Sequence, residues 1–344
     1  MDIKFHKSSI DTVDDPHRVA VTRAIANVLS TEIAEITFAQ TKDGLPLVEV
    51  VDDGWSKLLE PDHPIFKHTE LSPGSLDDVR EFREGFDVRL LRFDTPLLNA
   101  FQAASPGSRA FKTRLIEILA VAIHQMAVLL YENNPDLSPE SSSAVHRVHV
   151  WEPPKGPDSE WNTWWQFHPH GPPPTLFHHT WYINHDHYPD GAADVAGYWA
   201  ESRIIGGVVL FDRSGSDPDA VYLHPDRDQV TYRISKLTDE QKVTLVDFLT
   251  INRSQDKELE AGYTQDDEGG SFEGKCPLPI LSNETNLHRV DPEEPFSVTG
   301  VYRDVWEREM PVPEWMGDGR ASYYPTKADQ GDALLRWMRH GDSD

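Results

Sequence analysis

The sequence predicts an α+β protein: a single large domain in which a small mixed or antiparallel sheet packs against one long buried helix. Three observations carry this. The stretch from Leu115, LIEILAVAIHQMAVLLY, is apolar on nearly every side, as a helix sealed inside a core must be. Beyond it, RIIGGVVLFD, DAVYLHP and QVTYRIS read as three strands separated by turn residues. Helical patterns flank this block, with no internal repeat and no clear linker. A chain of 344 residues, 38% hydrophobic and 10% aromatic, can bury a real core.

Taken in order, residues 15 to 36 place Val19, Val21, Ala24, Ile25 and Val28 at helical spacing, and LPLVEVV from Leu45 looks like a short strand. Ser75 with Asp78 opens a helix by capping-box logic, and Thr95-Pro96 starts another with a cap and a proline in the first turn. The turn Ser105-Pro106-Gly107-Ser108 leads into the long helix, from about Arg109 to Tyr131. Residues 134 to 160 are loop-like around one strand, AVHRVHVW. Gly206-Gly207 falls inside the strand RIIGGVVLFD, where glycine marks a bulge or a close backbone approach. Thr238 caps a helix to Thr250 with Gln241 answering, its apolar face built from Val243, Leu245, Val246 and Leu249. Residues 254 to 275 carry acids and glycines, which reads as a solvated loop, and Lys327 to His340 as a short amphipathic helix. This divides the chain into an N-terminal helical or irregular lobe (1–94), a core (95–250) and an acidic loop with a C-terminal extension (251–344).

Composition sets limits on function. The single cysteine, Cys276, excludes an intrachain disulfide framework, and the N-terminus has no apolar signal region, so a cytoplasmic protein is expected. The apolar stretch from Leu115 is interrupted by Glu117, His124 and Gln125 and falls short of the about 20 residues a membrane span needs. No membrane partner is expected. A formal charge of -26 repels phosphate backbones, so any nucleic-acid partner needs a local basic patch. Arg109, Lys112 and Arg114, at the start of the long helix, form the compact positive cluster near the motifs below.

The densest chemistry lies between Trp161 and Gly191, which holds His168, His170, His178, His179, His185 and His187 with four tryptophans. Neutral imidazole is a common ligand for zinc, iron or copper, so His168, His170, His178 and His179 are candidate metal ligands. No standard metal motif is met, however, and Pro172-Pro173-Pro174 keeps this stretch irregular. The competing readings are metal-free acid/base use of these rings, and a packed aromatic loop in which they serve as hydrogen-bonding groups. No cofactor is therefore assigned.

Carboxylates follow at once. If the helix through ADVAGYWAE begins at Asp190, then Asp190, Asp194 and Glu201 lie within about 40° of one another and share a face. Clustered acids raise one another's pKa and match a guanidinium or ammonium through charge-assisted bonds. The plainer alternative makes Asp190 a helix cap and pairs Glu201 with Arg203. On the long helix, Arg114, Glu117 and His124 form a stripe that either lines a cavity or pairs with another element, because unpaired buried charge is costly. No elbow serine, Walker loop or dinucleotide fingerprint is present.

The strings TPLL.AF (95–101), PGSRAF (106–111), RLIE (114–117), AVAIHQMAV (120–128), YPDG (188–191), GYWAE.RI.GGVVLFDR (197–213) and VTYRI (230–234) resemble a widespread group of fungal proteins. That group is similar to the fungal arginine-containing cyclodipeptide synthases, which join arginine to a second amino acid using aminoacyl-tRNAs. The resemblance implies a biosynthetic transferase of secondary metabolism, with arginyl-tRNA and a second aminoacyl-tRNA as partners and a diketopiperazine as product. Such an enzyme must hold two reactants together, take a proton from an α-ammonium of pKa about 7.7 and stabilise an oxyanion.

In that reading Glu201, His170 and His124 are the candidate catalytic groups. Asp190 and Asp194 hold the guanidinium, Tyr198 and Trp199 stack on it, and Arg203 and Glu117 complete the substrate site. Arg109, Lys112 and Arg114 receive the tRNA. Two other classes stay open: a metal-dependent oxidoreductase or hydrolase using the histidines, and a non-enzymatic small-molecule-binding protein.

Overall fold

The computed structural model describes residues 6–50, 59, 62–137, 173–179, 181–226, 234–252, 276–280, 288–290 and 300–303. It is an α+β protein. Among the described residues its helices are α1 (Asp15–Leu29), α2 (Glu32–Asp43), α3 (Ser75–Gly85), α4 (Thr95–Ala103), α5 (Arg109–Glu132), α6 (Ala192–Ile205) and α7 (Asp239–Thr250). A two-stranded ladder joins β1 (Lys7–Ser8) to β2 (Phe93–Asp94). The main sheet is antiparallel in the order β6-β5-β4-β3-β7, with β3 Val208–Asp212, β4 Val221–His224, β5 Ile234–Lys236, β6 His288–Val290 and β7 Val301–Tyr302. The expected strand AVHRVHVW, the acidic loop 254–275 and the helix Lys327 to His340 lie outside the described residues.

The run expected as one helix over residues 15 to 36 is two. Thr31 breaks it, because its hydroxyl accepts from the Ala34 amide and caps α2. Val21, Ala24, Ile25 and Val28 are buried as their spacing predicts, whereas Val19 faces out. Leu45 onward is not a strand: Val48–Val50 is a 3-10 turn whose Val48 amide donates to the His68 carbonyl. Helix α3 is preceded by Gly74 with a positive φ of 98°, so Ser75 is its first residue rather than its cap. Thr95 likewise does not cap α4; its hydroxyl reaches back to Ser8 and the His6 carbonyl, tying the N-terminus to the helix.

Helix α5 begins where Ser108 caps it and runs 24 residues through the core. It is long and apolar enough to cross a membrane by length and composition, yet most of its surface is buried against other helices. Its closest neighbour is α6. The sheet packs chiefly on α6, so α6 lies between the long helix and the strands. β3 alternates between two apolar layers: Val209 and Phe211 join the main core, while Val208 and Leu210 pack with Tyr182, Tyr188, Tyr198 and Tyr222. Burial on both faces explains why its sequence is a continuous apolar run.

The segment RIIGG is not strand. Arg203, Ile204 and Ile205 close α6, and Gly206 caps it in the left-handed region at φ 108°. The glycine pair admits close backbone approach on both sides. A Cβ at Gly206 would lie 2.2 Å from the Ile280 carbonyl oxygen, and one at Gly207 would lie 2.9 Å from the His224 backbone. The Ile280 amide donates to the Ile205 carbonyl at 2.7 Å, so the glycines dock the segment around Pro279 against the helix end.

Candidate functional site

The facing sides of α5 and α6 bring ionisable groups into the core. His124 on α5 and Asp194 on α6 meet at 2.8 Å through Nε2 and Oδ1. Arg303, just past β7, places Nη2 3.1 Å from His124 Nδ1. Arginine only donates, so Nδ1 is the acceptor and the proton sits on Nε2, which donates to Asp194. The other arm of Arg303 pairs with Glu201 Oε2, and the Val209 amide donates to Glu201 Oε1 at 2.7 Å. The result is one chain, Asp194–His124–Arg303–Glu201, with an acid at each end and two basic side chains between them, in which all four residues are buried.

Glycine makes the approach possible. A Cβ on Gly197 would lie 2.7 Å from three atoms of the His124 ring, so the imidazole rests directly on the α6 backbone. Tyr198 closes the site from the side, its ring edge-on to His124 at 4.5 Å and 5.1 Å from the Arg303 guanidinium carbon. Complete burial pushes the Glu201 carboxyl up, while Arg303 and the Val209 amide act against it.

Of the three acids expected on one helical face, two are there. Asp194 and Glu201 share the α6 face toward α5. Asp190 stands before the helix, separated from it by Gly191 at φ 58°, and its amide donates to Asp194 Oδ2 at 2.7 Å. Asp190 is an exposed residue at the surface end of the buried chain, its carboxyl partly shielded from solvent. Partial burial and the Asp194 charge push it above the usual carboxylate range. Glu132, in the last turn of α5, is raised by burial and by Asp190 and Asp194. A carboxylate at a helix C-terminus also faces the negative end of the dipole. Lys7 offsets part of this charge at Asp190, and the acids form a rim suited to a further cation.

The pairing of Glu201 with Arg203 does not occur; its partner is Arg303. Arg203 projects from the opposite side of α6, where its guanidinium carbon lies 5.7 Å from the Trp199 ring centroid. Tyr198 and Trp199 thus each hold an arginine of the chain itself. The stripe on α5 resolves as pairing with other elements rather than a cavity lining. Glu117 bridges Arg114 and Arg213, the latter at 2.5 Å, and Arg213 also donates to the Arg303 carbonyl at 3.0 Å.

His178 and His179 turn to backbone groups. His178 Nδ1 lies 3.1 Å from the Thr175 carbonyl. His179 Nε2 donates to the His224 carbonyl at 3.0 Å, and its Nδ1 accepts from the Trp181 amide at 3.2 Å. Among the described residues no group of three His, Cys, Asp or Glu side chains is disposed to hold a metal ion. His168 and His170 lie outside the described residues. In the basic cluster, Arg109 is exposed in the first turn of α5, Lys112 is half-buried, and Arg114 is engaged by Glu117.

Sequence reasoning missed Arg303, Gly197 and Glu132. Arg303 had no signal, because nothing in its surroundings marks it as buried. Gly197 had one: a glycine inside a strong helical pattern usually has a packing reason. Comparison with protein families, with curated proteins and with solved structures finds no match to this chain.

Proposed function

We propose that the chain is a cytosolic biosynthetic aminoacyltransferase, an arginine-containing cyclodipeptide synthase that builds a diketopiperazine from arginyl-tRNA and a second aminoacyl-tRNA. The resemblance of segments between Thr95 and Leu249 supplies the reaction class. The observation that carries the reading is the carboxyl of the exposed residue Asp190, raised in pKa and set on Asp194, whose oxygens are fixed by the Asp190 amide and by His124.

In this reading Asp190 and Glu132 receive the cationic aminoacyl group, guanidinium and ammonium both being suited to paired carboxylates. The α-amine of one aminoacyl group attacks the ester carbonyl of the other. A C–N bond forms, the C–O bond to the ribose breaks, Asp190 takes the proton of the ammonium, and the ribose oxygen leaves protonated. The same exchange in the other direction closes the ring. A base whose pKa is raised toward that of the ammonium is the better acceptor. His124 and Glu201 act as positioning residues: Glu201 holds Arg303, Arg303 fixes the His124 tautomer, and His124 holds Asp194.

The direct test supplies purified protein with arginyl-tRNA carrying labelled arginine and a mixture of other aminoacyl-tRNAs. Label should leave the tRNA and appear in a cyclic dipeptide. Label released only as free arginine, or retained on tRNA, contradicts the reading.

A further inference from the structure

On the side of α6 opposite Asp194 lies a separate recess of about 180 Å³, whose lining includes Ile33, Trp199, Arg203, Pro225, Asp226 and Pro279. At 100° per residue, Asp194 and Arg203 are about 180° apart around the helix, so the recess is independent of the buried chain. Arg203 is the unusual group in it. Its Nε is buried without a hydrogen-bond partner, and the acids that act on its guanidinium, Glu49 and Asp226, do so through charge rather than a hydrogen bond. The Trp199 ring holds that guanidinium in place. Buried donors left unbonded are costly, so an arginine fixed in this way implies an acceptor that arrives from outside.

The surroundings narrow the ligand. Asp226 lines the same recess, and Glu49 is close enough to interact electrostatically with Arg203. Two acids near one base disfavour a bare anion such as phosphate. They suit a molecule that presents a carboxylate to Arg203 and an ammonium to Asp226. The apolar walls from Ile33, Pro225 and Pro279 and the volume leave room for a short side chain. We propose that this recess binds a small free α-amino acid, its carboxylate on Arg203 and its ammonium on Asp226. An ester of the same amino acid has no free carboxylate, so the site distinguishes the free amino acid from its esters. It stands whether or not the synthase reading holds.

Saturation-transfer NMR on the full chain tests this with glycine, L-alanine and L-serine, each beside its methyl ester and its N-acetyl derivative, and with inorganic phosphate. Saturable binding of a free amino acid is expected, weakened at least about tenfold by blocking either end. Arg203→Met should abolish it while leaving the melting temperature near that of the parent. Arg203→Lys and Asp226→Asn should each weaken it severalfold, which keeps the test decisive if Arg203→Met fails to fold. The proposal is overturned if no free amino acid binds at tens of millimolar, if both blocked forms bind equally well, if phosphate competes on equal terms, or if binding survives Arg203→Met or, where that variant does not fold, is unchanged in Arg203→Lys and Asp226→Asn.

Discussion

Replacing Arg303 by methionine removes the guanidinium from the centre of the buried chain and keeps the volume. Glu201 is fully buried and would be left with the Val209 amide at one oxygen and no counterion. His124 Nδ1 would lose its donor at the same time. Breaking one partner out of a buried ion pair costs about 3–5 kcal/mol. The second change that decides the cause is Glu201→Gln, because a glutamine oxygen still accepts from Val209 while the charge is gone. The double variant E201Q/R303M should therefore recover at least about 2 kcal/mol relative to R303M alone.

Urea unfolding followed by circular dichroism, on the parent and the three variants, measures the cycle. The pH dependence adds an independent sign. Burial already raises the folded-state pKa of Glu201, and loss of Arg303 raises it further. Stability associated with a raised carboxyl is fully present below the unfolded pKa and is lost as pH rises through the folded one. The penalty of R303M should therefore shrink as the pH is lowered toward about 4. A loss under about 1 kcal/mol for R303M, or a double variant no more stable than R303M, would refute the role of the pair in holding α5, α6 and β7 together.

Gly197→Ala should destabilise by about 1–3 kcal/mol through its clash with the His124 ring, despite alanine being the better helix former by about 1 kcal/mol. Adding His124→Ala should relieve the clash, visible as a smaller loss than the sum of the two. The completely buried His224 is pushed well below the usual histidine range, by burial first and by His179 second. Its folded-state pKa is depressed, so the stability it represents is present above about pH 6.5 and is lost as pH falls below that. His224→Gln should flatten this acid limb of a stability–pH profile, and an unchanged profile counts against it. If tRNA docks at the start of α5, Arg109→Glu with Lys112→Glu should raise the KM for arginyl-tRNA and reduce its salt dependence. A KM equal to the parent's would place the tRNA elsewhere.

The regular elements were legible because hydrophobic period and capping chemistry are local. Thr238 with Gln241 forms the capping box its spacing indicates, and Ser108 starts α5. What failed was decided by distant partners. Thr95 looks like a cap, but Ser8 and His6 compete for its hydroxyl. Val243 belongs to the apolar pattern of α7 yet is exposed, while Phe248, outside that pattern, is buried. In the candidate site, Glu201, Asp194 and His124 were singled out from their chemistry. Their arrangement was not legible, since His124 and Asp194 are 70 residues apart and Arg303 lies beyond β7, 179 residues from His124. The helix was started at Asp190, two residues too early, because Gly191 is its cap and α6 begins at Ala192.

Mass spectrometry of metabolites from a host expressing the full chain tests the synthase reading most directly, with Asp190→Asn as the paired variant because that residue is exposed and the change leaves the buried chain intact. A new cyclic dipeptide containing arginine should appear with the parent and fall at least about tenfold with Asp190→Asn. No new arginine-containing diketopiperazine from a folded, expressed protein, or equal yields from parent and variant, would contradict it.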